Sequence, residues 1–169
     1  MANQQTTPQG FTPFFKRVSQ GEDRHADIYA CIAILTNKTV ADIQQQAESL
    51  GVPKVGPYYP YLDGDMIAKI LVPHGLVATV WKECAKGYSD LADVEVAIVM
   101  VQYSPEWEVG RCVVFHRQRS ADGKSVHPYV VDPYPHADSK LHLRQGTSEL
   151  NGLSPSWFIG VHAKPITGK

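Results

Sequence analysis

Cysteine is scarce in this chain, and so is any excess of one charge. Three cysteines in 169 residues, an odd count, leave no basis for a disulfide scaffold. Lys and Arg number 16 against 17 Asp and Glu, and the formal net charge of −1 exerts no long-range pull on phosphates. Nucleic acid is therefore not expected as a partner. No hydrophobic run approaches the ~20 residues that span a bilayer. The longest, Val96 to Val101, has the length of a buried strand, so no membrane partner is expected either. The opening MANQQTTPQG has neither a basic n-region nor an apolar h-region, which argues against a Sec signal peptide. These absences point to a reduced thiol protein, cytoplasmic or secreted by a signal-peptide-independent route.

What is present is one domain's worth of ordinary globular sequence, 43% hydrophobic and 20% charged. Residues 1–19, rich in Gln, Thr and Pro with Phe11, Phe14 and Phe15, read as a flexible N-terminal arm ahead of a single domain over 20–169. Ile28, Ile32 and Leu35 recur at helical spacing and predict a buried helix over about 27–36. Thr39 and Gly51 bracket a second helix, and Asp65 is the expected cap of a third that ends before Pro73. Strands are expected at Leu76–Val80, Val94–Tyr103, Gly110–Arg119, Pro128–Asp132 and Trp157–His162, with an Asp122-Gly123 turn. Helices first and strands afterwards give an α+β fold, N-terminal helices packed on a C-terminal antiparallel sheet.

The chemistry-bearing residues are few. A cysteine near the start of a buried helix gains thiolate character from backbone N–H groups and the helix dipole, and Cys31 stands about one turn into the first helix. A thiol nucleophile needs a base, and the base needs an orienting acceptor. His116 ends an apolar strand and Asp132 ends the next, so a hairpin is expected to bring them alongside each other. Cys112 lies four strand residues from His116, roughly 13 Å, and reads as core. Cys84, among charged residues, reads as a partly exposed structural thiol. His127, His136 and His142 lack the tight spacing of a zinc site, and no metal is expected. Tyr58, Tyr59, Tyr61, Trp81 and Trp107 are candidates either for a peptide groove or for loop packing.

Cys31, then His116 after 85 residues, then Asp132-Pro133 after 16 more, resembles the papain-like cysteine peptidases. Within them the chain is most similar to the bacterial family that processes double-glycine leader peptides. TVADIQQQAESLG after the cysteine helix, DGDMIAKILVPHGL and the strand VEVAIVMV add to the similarity, which covers about residues 25–135. The family carries a glutamine six residues before its nucleophile as an oxyanion donor. Here that position is His25, with Gln20 as the other candidate for the oxyanion hole. The residue after Cys31 is Ile32, where the family has a small residue.

The resemblance implies a papain-like cysteine peptidase acting on a peptide or protein substrate without metal or organic cofactor. Cys31 would attack the carbonyl and form a thioester, His116 would move the proton, and Asp132 would fix the imidazole tautomer. Two other functions fit the same sequence. One is a deamidase or transglutaminase-type acyl transferase, separated by ammonia release against new N-termini. The other is a non-catalytic peptide-binding domain that keeps the groove. The catalytic reading expects Cys31 to be alkylated by iodoacetamide faster than Cys84 and Cys112.

Overall fold

The computed structural model describes residues 11–165. The first ten residues of the expected arm lie outside the described residues. Helix α1 (Asp27–Thr36) buries Ile28 through Ile34 without interruption. An apolar stripe this wide belongs to a helix enclosed on all sides. It stops at Asn37, which adopts the left-handed conformation (φ 54°) and returns its N–H to the Ala33 carbonyl.

Helix α2 (Val40–Ser49) opens on a capping box between Thr39 and Asp42 and buries only Ile43 and Ala47. Thr39→Ala is expected to cost about 1 kcal/mol in urea unfolding, because the Asp42 N–H loses its acceptor. Helix α3 (Gly64–Leu71) is capped by Asp63, whose side chain accepts from the Met66 N–H, and not by the expected Asp65. The Asp-Gly-Asp sequence offers two acidic caps. Asp63 wins because its extended backbone lets the carboxylate turn onto the first turn of the helix.

The strands are β1 (Leu76–Ala78), β2 (Lys82–Glu83), β3 (Val96–Ser104), β4 (Val109–Arg119), β5 (Val126–Val131), β6 (Leu143–Gln145) and β7 (Pro155–Ala163). They form one antiparallel sheet in the order β1-β7-β3-β4-β5-β6, with β2 also on β7. A short helix α4 (Gly146–Asn151) joins β6 to β7.

Alternation along the strands divides the core in two. Ile98, Cys112, Val114, Tyr129, Val131 and Ile159 face the N-terminal helices. Val99, Val101, Val113, Phe115, Val130 and Phe158 face a second layer containing Leu91, Leu150 and Leu153. The α+β reading holds, with one addition. The far face of the sheet is not solvated but covered by the 3-10 turn at Gly87–Leu91 and the α4 region.

Residues 11–20 lie against the sheet as a strap. Phe11, Phe15 and Val18 pack on the helix-side core. Arg17 donates to the carbonyls of Asp132 and Tyr134 at 2.7 and 3.1 Å, and the Gln20 N–H donates to the Pro133 carbonyl at 3.0 Å. The loop after β5 is therefore anchored from the N-terminal side of the chain.

Candidate active-site cleft at the start of helix α1

Three residues at the start of a helix have backbone N–H groups with no partner inside the helix. In α1 the first such residue is Asp27, and the Ala30 N–H already closes the helical ladder onto the Ala26 carbonyl at 2.9 Å. Cys31 is the next residue along that ladder, so its N–H is committed within the helix. The Asp27 carboxyl stands at this end of the helix and accepts from the Cys112 N–H of strand β4 at 2.6 Å. The N–H groups of Ile28 and of Asp27 itself, close by, also favour its charged form. Burial nevertheless raises its pKa to about 6, against those hydrogen bonds.

Cys31 is wholly buried. Its thiol is pushed well above the ordinary range, first by burial and then by the carboxylates of Asp27 and Asp132, with Arg111 opposing. Cys112 is buried and raised for the same first reason, as expected of a core thiol. Cys84 differs from its expectation of partial exposure. It is buried at 8% exposure, its N–H donates to the Ser156 carbonyl at 2.8 Å, and burial raises its pKa to about 11.

Asp132 does not orient His116. Its carboxylate, with no exposed surface, accepts two bonds from Arg111, at 2.6 and 2.8 Å, and a third from the Tyr134 N–H. The reason is register. Val114 stands opposite Val131 and His116 opposite Tyr129, so Asp132 runs level with Val113, three residues from His116. The Asp122-Gly123 turn carries this information in the sequence, because counting outwards from its centre pairs His116 with Tyr129.

His116 is instead a satisfied buried group. Its Nδ1 is 2.9 Å from the Tyr129 hydroxyl, and the rings of Phe15, Tyr129 and Phe14 surround it at 4.9, 5.3 and 6.1 Å. Burial lowers its pKa, with Glu95 opposing, and so favours the neutral ring.

A cleft of about 80 Å³ opens in front of α1. Asp27, Arg24, His25, Tyr59, Arg111 and Cys112 line it, together with apolar side chains. Of the two oxyanion candidates, His25 therefore reaches the cleft wall. Its ring lies against Gly56, where a Cβ would come within 2.9 Å of the His25 Cβ. Gln20 is buried away from the lining, donating its side-chain amide to the Asp23 carbonyl at 3.1 Å. Among the aromatic candidates Tyr59 lines the cleft and is half exposed. Tyr58 is buried, its hydroxyl bonded to Asp23 and to the Lys54 carbonyl. Trp81 packs on the core and Trp107 is exposed. Arg111, which no spacing in the sequence singles out, lines the cleft and is the partner of Asp132.

The same arrangement of helices and sheet occurs in solved structures. A double-glycine motif protease from an AMS/PCAT transporter, crystallised with its leader peptide, superposes with a TM-score of 0.54 over 89% of this chain and 92% of its own, at 13% identity. This fold is papain-like. The peptidase domain of Streptococcus ComA, a bifunctional ABC transporter of a quorum-sensing pathway, gives 0.55 over 89% and 99%, also at 13% identity. No family model and no curated protein sequence matches the chain. At the level of fold, then, these two neighbours of the papain-like domain are a protease and a peptidase domain. No helix among the described residues is long and apolar enough to cross a membrane.

Proposed function

We propose that this chain is a peptide-recognition domain on a papain-like peptidase fold, holding a peptide in the cleft before α1 without cleaving it through Cys31. The observation that carries this reading is the Arg111–Asp132 pair. The carboxylate that a peptidase would use to orient an imidazole is bound on both oxygens by a guanidinium. Arginine stays protonated in proteins and cannot accept the thiol proton. The peptide as ligand class follows from the neighbour that was crystallised with its leader peptide. An array of overlapping synthetic peptides should give saturable binding that weakens on Tyr59→Ala, with no new N-termini. Hydrolysis of a bound peptide would overturn the reading.

The second reading is the cysteine peptidase with Cys31, His116 and Asp132, or a papain-like acyl transferase using the same residues. It is favoured by the two solved structures named above, a protease and a peptidase domain. The two readings predict opposite thiol behaviour. A non-catalytic Cys31, buried and raised in pKa, should react with iodoacetamide at neutral pH no faster than Cys84. A catalytic Cys31 should react fastest of the three and slow down in His116→Ala. Peptide mapping of the alkylated protein by mass spectrometry reads the order directly, and ammonia release identifies a deamidase.

A further inference from the structure

We propose that Asp27 and Arg111 stand where a papain-like peptidase holds its nucleophile and its base, so that the cleft is a peptidase site silenced at two positions. The inference rests on the non-catalytic reading above and adds the residues responsible. A thiolate is best stabilised at the first residues of a helix, among the unpaired N–H groups. That place belongs to Asp27, one full turn before Cys31. A base must face both the nucleophile and an orienting carboxylate. Arg111 faces Asp132 through both terminal nitrogens and lines the same cleft as Asp27.

Two further observations connect the pair. Cys112, the residue after Arg111, donates its N–H to the Asp27 carboxylate, so strand β4 meets the start of α1 at this point. Cys31 and His116 are both absent from the cleft lining. His116 lies five residues further along β4 than Arg111, roughly 17 Å of strand. The orienting element itself is intact. Asp132 is fully buried, and the strap holds the carbonyls around it through Arg17 and Gln20.

The resident chemistry then holds a peptide without cutting it. Arg111 has N–H donors for a carbonyl but cannot take up a proton. The Asp27 carboxyl, on the first residue of α1, puts negative charge where helix-start N–H groups would otherwise stabilise an oxyanion.

The test is to reinstall the missing groups in the full chain, as Asp27→Cys combined with Arg111→His, and to measure alkylation by iodoacetamide. In that reaction the thiolate sulfur forms a C–S bond as the C–I bond breaks and iodide leaves. The thiol proton remains on the introduced imidazole. The introduced thiol is expected to react at about pH 6 roughly tenfold faster than Cys31, Cys84 or Cys112 in the same molecule. Its rate profile should also extend to lower pH than that of Asp27→Cys combined with Arg111→Lys, a difference that mere exposure would not produce.

A thiol at position 27 that reacts no faster than Cys84 overturns the proposal. If the double variant does not fold by circular dichroism, Asp27→Cys alone decides, because the helix-start N–H groups, with Arg111 lining the same cleft, should still give a thiol faster than Cys84. Failure of both variants to fold also counts against interchangeable positions. The parent reading fails by a different route, through hydrolysis or fast Cys31 labelling in the unsubstituted chain.

Discussion

Arg111→Met should lower the stability of the fold by about 3–5 kcal/mol in urea unfolding, far more than the loss of one surface ion pair. The Asp132 side chain has no exposed surface and that of Arg111 only 17%, so the pair is almost wholly desolvated. Removing the guanidinium leaves a buried carboxylate with the Tyr134 N–H as its remaining side-chain hydrogen bond. The control is Arg111→Met with Asp132→Leu. Replacing both partners removes the unpaired charge, so the double variant should be more stable than Arg111→Met alone. Equal or lower stability for the double variant would show that the pair is not coupled in this way.

Asp27→Asn should move stability in the opposite direction. The folded-state pKa of Asp27 is raised by burial from 3.8 to about 6, so between those values the native state binds more protons than the unfolded chain. Stability contributed by this group is therefore greatest below about pH 4, falls as pH rises towards 6, and stays low above it. Asparagine keeps an acceptor for the Cys112 N–H and carries no charge at any pH. The variant should gain on the order of 1–2 kcal/mol at pH 8, allowing for solvent screening of a partly exposed carboxyl. It should also lose the downward slope between pH 4 and 6. Chemical denaturation across that pH range is the measurement, and an unchanged slope would remove Asp27 as its source. A stabilising substitution at the mouth of a cleft is the signature of a residue kept for something other than folding.

Much of the fold is legible in the residues. The run Ile28 to Leu35 marks α1 because a fully buried helix needs apolar side chains on every face, and Thr39 marks the next helix through its cap chemistry. The long central strands are equally plain, since Val96–Val101 and Cys112–Phe115 are continuous apolar stretches in a sheet covered on both faces. Strands β2 and β6 are too short to show a period, and only pairing with β7 and β5 fixes them.

The site is less legible than the fold, for a geometric reason. Spacing along the chain puts Cys31, His116 and Asp132 in a credible order, but a hairpin converts spacing into proximity only through its register. At Val114 opposite Val131 the register selects Arg111 as the partner of Asp132, and a lone arginine between Gly110 and Cys112 gives no chemical signal by itself. Likewise the helix start falls on Asp27, an unremarkable N-terminal acid until the Cys112 amide is seen against it.

The burial of all three thiols has a consequence for handling and for environment. Cys31, Cys84 and Cys112 are each shielded and raised in pKa, so none offers the exposed thiolate that peroxide or disulfide exchange requires. With all three thiols shielded, the fold should be equally stable in oxidised glutathione and in dithiothreitol.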